Sequence, residues 1–553
     1  MFNKLKETIF HKTKSKEKED STIFSLLNRI SEKSGGVTKS VIYRSNSLQQ
    51  AGHDCFILLL EFDSSIPKTI SNMKSDGRIY DEVKIRSFFS YYACISLGKS
   101  EITYDAKITR TFDHIGATGM CSVRYYNEKN EIFAEELLDS NRKNIFFTLF
   151  LDGITLNFNS KVEAQTKWID ELCEQHSFVN LFSDQTNAPE RIGNVSAKNV
   201  KKILQIHGNH YEPPYKKGAK VKVGYMKMFS LFNKYDEVFV LTESQKNDIL
   251  NETDELTPIR VIPHPISHPE QSPVVREQNL AVVVSRIEKL KGIERIITNF
   301  KKITEHFPDA SLEIWGDGNH MDAVKAHISS INAGDSVRVM GFSTNPSIPM
   351  SRASVSLFAS EQEGFGLSLA ESVSLGTPVV STRTSYGAED IIVDGVNGWI
   401  VDSDEEYIKK VVQLLDVTRN GNFNHKECIS SIEWLSPDNY LARVENSLSS
   451  QSGKTIANIN SMSHKFKNDR SSIKGHVYVK KENLSSVNFN KIRVLNVNRA
   501  QQFHGESCWL GLGEFEVHNL RPEGNDYYTF QIKQGHVIYS GSLPGGSVQF
   551  EIH

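Results

Sequence analysis

The sequence predicts an α/β protein of two doubly wound domains, with an antiparallel β insertion in the first and a small all-β unit at the end. Three observations predict it. Two separate stretches alternate short apolar strands with helices, as parallel sheets do. Inside the first stretch the hydrophobic period falls to two over many residues. After a polar stretch near residue 450 that period returns and runs to the end of the chain.

"TIFSLL" reads as the first strand, "SEKSGGVTKS" as a glycine-containing loop, "VTKSVIYRSNSLQQAG" as a helix closed by Gly52, and "CFILLLEF" as the second strand. This β–loop–α–β unit opens the first domain, residues 22–74. Residues 75–160, with "EITYDAKITRTF", "MCSVRYYN" and "NIFFTLFLDGITLNF", read as the antiparallel insertion. The first domain resumes over 161–262 with the helix "KVEAQTKWIDELCEQ" and the strands "FVNLFS", "KKILQIHG" and "EVFVLT". "VIPHPISHPEQSP" is proline-rich and reads as an interdomain hinge. The second domain, 263–450, has strands at "NLAVVV", "SLEIWGDG", "VRVMGF", "VSLFAS" and "PVVST", and ends in the helix "SPDNYLARVENSLSS". Residues 451–472 read as a linker and 473–553 as the all-β accessory unit. There Trp509, Tyr527 and Tyr528 are candidates for stacking on sugars, although aromatics in small β domains are mostly core.

The 553 residues suffice for three or four domains at about 100–200 residues each. Hydrophobic content is 39% and charged content 24%, ordinary for a globular protein, and a net charge of −3 gives no reason to expect nucleic acid. Six cysteines without a C-x-x-C pair read as reduced thiols in a cytoplasmic protein. The N-terminus lacks the apolar core of a signal peptide, and no apolar run approaches the ~20 residues of a membrane span. Phe2, Leu5, Ile9 and Phe10 share one helical face among Lys4, Lys6, Lys12, Lys14, Lys16 and Lys18. That fits a peripheral contact with the inner face of an anionic membrane, and fits a solvated terminus better.

The chemistry sits in "ASEQEGFGLSLAESVSLG". A strand leads into a turn with Gly364 and Gly366, then into a helix. The N–H groups of Phe365, Gly366 and Leu367 at that helix start make an anion site suited to a diphosphate. Glu371, one turn inside the helix, is placed to accept both hydroxyls of a ribose. Glu363, before the turn, is placed to reach the hydroxyls of a sugar beyond the phosphates. The order of groups is that of a nucleotide-sugar. The same four residues also fit a plain βα turn with surface glutamates. "SRIEKLKG" shifts the balance, because Arg286 and Lys291 follow a strand of the same domain and can neutralise a departing diphosphate.

Glu363 and Glu371 as E-x7-E, with Arg286 and Lys291 upstream, resemble the retaining glycosyltransferases of family four, of GT-B fold. The resemblance covers about 22–70 and 165–450. It implies that Arg286 and Lys291 bind the diphosphate, Glu371 the ribose and Glu363 the donor sugar, and that "GFSTNPS" holds the base. It also implies that Gly35 and Gly36 of "SGGVTKS" face the donor phosphates and acceptor. His207 of "LQIHGNHY" then stands near the reacting sugar, with His210 a weaker candidate. "IHGNHYEPP", "VFVLTESQKNDIL" and the β insertion are similar to a subgroup that includes wall teichoic acid α-glycosyltransferases and the glycosyltransferases of serine-rich adhesins. The C-terminal β unit departs from that pattern.

The resemblance implies a UDP-sugar as co-substrate with no further cofactor, no metal, and transfer with retention. The sugar is glucose or N-acetylglucosamine. Asp402 and Asp404 form a D-x-D but follow the last core strand. Lys216, Lys217, Lys220 and Lys222 are acceptor candidates able to track a polyanion, or a solvated face. The acceptor expected is an anionic polyol-phosphate polymer of the cell envelope. Ser or Thr of a surface protein and a capsule glycan are alternatives, and a non-catalytic GT-B scaffold is the alternative of another class. The likeness also suggests a homo-oligomer.

Overall fold

The computed structural model describes residues 21–32, 35–184, 189–253, 257–266 and 275–449, and the backbone of strands beyond residue 460. The N-terminal segment Phe2–Lys18, Trp509 and the side chains of Tyr527 and Tyr528 lie outside the described residues, as does most of the expected linker.

The chain lays down β1 (Thr22–Leu27), β2 (Asp54–Leu59) and β3 (Lys84–Ser87). It then builds a five-stranded antiparallel sheet from β4 (Thr109–Ile115), β5 (Met120–Tyr126), β6 (Ile132–Leu138), β7 (Asn144–Leu151) and β8 (Ile154–Phe158). It returns with β9 (Val179–Ser183), β10 (Val200–Gln205), β11 (Glu237–Val240) and β12 (Ile259–Val261). The first sheet is parallel in the order β12-β11-β10-β9-β1-β2-β3. The carboxyl ends of all seven strands therefore open on one edge, where open α/β sheets bind ligands. Every residue of β1 is buried, as a central strand covered on both faces requires.

The second sheet holds β13 (Leu280–Val284), β14 (Ser311–Trp315), β15 (Val337–Gly341), β16 (Val355–Phe358), β17 (Val379–Thr382) and β18 (Gly398–Val401). It is parallel in the order β15-β14-β13-β16-β17-β18. The helix Ile293–His306 buries Ile293, Ile296, Ile297, Phe300 and Ile303, the stripe of a helix with one face on a sheet.

Three expectations change. The antiparallel sheet starts at Thr109. Residues 75–108 instead supply β3, paired parallel to β2, and the helix Phe88–Ser96. That helix is buried from Phe88 to Ile95, so its sequence carries no helical period and resembles a buried strand run. Second, the described part of the proline-rich segment is a packed crossing. Ile262, His264 and Ile266 are buried, and the amides of Ile262 and Ile266 donate to Val240 and Leu435. Prolines remove ladder donors there without preventing burial of the residues between them. Residues 267–274 lie outside the described residues.

Third, the helix Pro437–Ser449 ends the second stretch by packing on the first sheet. Its Tyr440, Val444 and Leu448 join Ile23, Leu48, Cys55, Phe182, Ile203 and Phe239 in one cluster. Further on, Ser472–Tyr478, Ile492–Val497, Phe515–Pro522, Tyr527–Lys533 and Val548–Ile552 pair as a five-stranded antiparallel sheet.

Candidate functional site

The turn after β16 carries the expected glutamates. Gly366 lies in the left-handed region (φ 85°, ψ 50°) and starts the helix Leu367–Ser374, which no side chain caps. The first amides of such a helix have no partner within it, so they are open to an anion. Gly364 is required by a close approach: a Cβ there would stand 2.1 Å from the carbonyl oxygen of His207. The turn of the second domain thus rests directly on the strand-end histidine segment of the first. Phe365 is buried and sets its ring edge-on to His264, centroids 5.9 Å apart.

Lys291 and Glu363 are brought together. Lys291 Nζ donates to Glu363 Oε1 at 2.6 Å, both side chains about one-fifth exposed (18% and 21%). Lys291 ends a short 3-10 turn, Lys289–Lys291, and the left-handed Gly292 follows it. A Cβ on Gly292 would meet Ala359 O at 2.2 Å, and the Glu361 amide donates to Leu290 O at 2.9 Å. The two loops are therefore locked to each other. Arg286 is not in the cluster: its side chain is 70% exposed and paired with Glu288.

Glu371 is half-buried on the Leu367–Ser374 helix. Burial raises its carboxyl above the usual range, and the charge of Lys39 works against that rise. Lys39 belongs to the first turns of the helix Gly36–Gln50, so the start of that first-domain helix stands near this carboxylate. Gly35 is extended (φ −73°, ψ 178°) and an added Cβ at Gly35 or Gly36 meets nothing within 4 Å. What these glycines contribute is open space, not a special backbone shape.

His207 follows β10 at the sheet edge. Its Nε2 lies 2.9 Å from Asp184 Oδ1, and Arg44 donates to both oxygens of Asp184 at 2.9 and 2.5 Å. Burial pushes the Asp184 carboxyl up, but Arg44 and His207 outweigh it and hold it at about 2. An ionised Asp184 only accepts, so Nε2 of His207 carries the proton. Nδ1 is buried with no hydrogen-bond partner among the described residues. The ring stacks on His264, centroids 5.4 Å apart and 9° from parallel. Burial, with the neighbouring His207, pushes His264 down to about 3, which keeps it neutral. Sequence reasoning missed Arg44, Asp184 and His264; the nearest signal was the position of Asp184 one residue beyond a strand.

The remaining candidates divide. His210 is fully buried, stacked near Tyr386 with centroids 5.9 Å apart, and lowered to about 4 by burial and Lys222. Lys222 Nζ donates to Asn209 O at 2.8 Å and Gln362 Oε1 at 3.2 Å, a strut across the cleft beside Glu363. Lys216, Lys217 and Lys220 are exposed. Asp402 pairs with Arg383 and Asp404 with Arg295, both at 2.7 Å. No group of three metal-ligating side chains occurs among the described residues.

Residues 267–424 match a family model described as glycosyl transferases group 1. The chain is 25% identical over 463 residues to the poly(glycerol-phosphate) alpha-glucosyltransferase of Bacillus subtilis (strain 168), covering 75% of this chain and 66% of that protein. It is 22% identical over 458 residues to the poly(ribitol-phosphate) alpha-N-acetylglucosaminyltransferase of Staphylococcus aureus (strain COL), covering 71% and 92%. Among solved structures, TarM superposes with a TM-score of 0.63 at 19% identity, covering 77% of this chain and 98% of that one. The pneumococcal O-GlcNAc transferase GtfA in complex with UDP and GlcNAc gives a TM-score of 0.60 at 16% identity, covering 78% and 99%.

Proposed function

From a GT-B fold with a group 1 glycosyltransferase match in its second domain, we propose that this protein moves a hexose from a UDP-sugar to a hydroxyl of a cell-envelope polymer. The sugar is glucose or N-acetylglucosamine, and the acceptor a polyol-phosphate chain. The observation that carries the reading is the Lys291–Glu363 contact at 2.6 Å, on a turn whose Gly364 rests against His207. A cation, a sugar-facing carboxylate and helix-start amides then surround one cleft position. The names of the relatives support both the donor class and the acceptor class.

In this mechanism Lys291 and the turn amides take the diphosphate, and Arg286 swings in from solvent to join them. Glu371 accepts the ribose hydroxyls. Glu363 accepts from the sugar. Transfer proceeds with retention: the bond from the anomeric carbon to the phosphate oxygen breaks, and the acceptor oxygen bonds on the same face. The acceptor proton passes to the leaving phosphate. The diphosphate charge is met by these side chains and amides, without a metal. His207 stands behind the sugar as a positioning residue, its ring held by Asp184 and His264. The exposed Lys216, Lys217 and Lys220 suit an anionic acceptor better than a neutral one.

The test is UDP release from a panel of UDP-sugars, with and without purified teichoic acid, in wild type and Glu363→Ala. Acceptor-dependent release with one sugar, reduced about a hundredfold or more in the variant, is the expected outcome. Absence of UDP-sugar binding would overturn the reading in favour of a non-catalytic scaffold.

A further inference from the structure

We propose that a cavity at the β3 end of the first sheet binds a neutral polyhydroxylated unit of the acceptor, a sugar or polyol residue removed from the one being modified. The proposal rests on the transferase reading above. The cavity has a volume of about 560 Å³, within the range of small-molecule sites. Phe62 and Asp63 follow β2, Ser87 ends β3, and Tyr104 and Lys107 lie on the segment that leads into β4.

Its position connects it to the transfer centre. The carboxyl ends of β2 and β3 open on the same sheet edge as Gly35, which follows β1, and His207, which follows β10. At about 4.8 Å per strand step, the cavity stands roughly 10–20 Å from the reacting position. That distance is too great for the reacting hydroxyl itself. A chain threaded along the sheet edge reaches both places.

Its chemistry selects the occupant. Asp63 accepts from the hydroxyl and amide of Ser65 at 2.7 and 2.9 Å, and these bonds hold its carboxyl below the usual range. It is ionised at neutral pH. Asp105 and Glu128 also line the cavity, and Lys107 is the one cation among the described lining residues. Arg29 and Arg110 stand near Asp63 without lining the cavity. Glu128 is paired with Lys99 at 2.7 Å, which leaves Asp63 and Asp105 as acceptors that repel a phosphate and suit hydroxyl groups. Tyr104 offers aromatic surface to the carbon face of a sugar, and Phe62, with the Arg110 guanidinium 5.5 Å from its ring centre, adds to the wall. The wall is preformed: the Ser90 hydroxyl donates to Tyr104 O at 2.9 Å, and Asn127 Nδ2 donates to Ser96 Oγ at 3.0 Å. Asn127 and Glu128 come from the turn between β5 and β6, so the antiparallel insertion completes the site.

The test is saturation-transfer NMR on the full chain saturated with UDP, with methyl α-glucopyranoside, methyl N-acetyl-α-glucosaminide and glycerol as probes. UDP-sugar turnover is measured in parallel. At least one probe should bind with UDP present, and its affinity should fall about tenfold in Asp63→Ala and Tyr104→Ala. Asp63→Asn, which keeps the shape, should show the same fall with unchanged melting temperature and UDP affinity. No probe binding, or binding equal in all variants, would overturn the cavity assignment while intact turnover leaves the transferase standing. Loss of both UDP binding and turnover in the wild type would overturn the two readings together.

Discussion

In the proposed mechanism Glu371 serves the ribose in its charged form, while burial favours the neutral one. Its folded value lies above its unfolded value, so ionising it on raising the pH through the folded value costs stability. Ribose hydroxyls donate to the ionised form, so binding releases a proton. UDP affinity should therefore weaken about tenfold per pH unit as the pH falls below the raised value. Calorimetric titration of UDP against pH checks this, and Glu371→Gln should remove that component of the profile. At this scale the sequence shows that Lys291 and Glu363 belong to neighbouring strand-end loops, because both patterns are local, but not that Arg286 turns to solvent and pairs with Glu288. It does not show Arg44, Asp184 and His264. Their meeting depends on a residue in mid-helix and two residues just beyond strand ends, separated by 140 and 80 residues, and no local spacing encodes that.

Among the elements, the turn from Glu361 to Gly366 carries the most constraint. It is locked to the Lys289–Gly292 loop on one side and seated on His207 on the other. Gly364→Ala places a methyl 2.1 Å from His207 O, so the turn must withdraw from the first domain. The expected result is a fall of about a hundredfold or more in turnover at near-normal melting temperature, because the new methyl meets the other domain and not its own core. Steady-state UDP release and a thermal melt distinguish this from misfolding. Strands with strong apolar runs, such as β1, β2, β9 and β13, are legible in sequence. β3 and the helix after it are not: four residues of strand and a helix buried nearly all round give no period to read.

For the whole molecule, the helix Pro437–Ser449 belongs by sequence to the second domain and by packing to the first. A chain ending at residue 436 uncovers Ile23, Leu48, Phe182 and Phe239, and loses the Ser447 contact with the buried Lys201–Glu237 pair. Loss of three large side chains at about 1.5–3 kcal/mol each removes several kcal/mol from the first domain. A chain ending at residue 450 keeps this helix. We expect the first truncation to melt earlier by more than ten degrees and the second to retain donor binding, as differential scanning fluorimetry with and without UDP would report.

The polypeptide passes between the two domains twice, once through Ile262–Ile266 and once on its way into Pro437–Ser449. Two points of attachment define a line, so any opening of the cleft would be a swing about one axle. The first point includes His264, which touches both His207 and Phe365. That axle would run beside His207 and the Gly364 turn. Atoms close to an axle travel least: in such a swing the histidine stack would hold its shape while the far lip of the cleft would make the larger excursion.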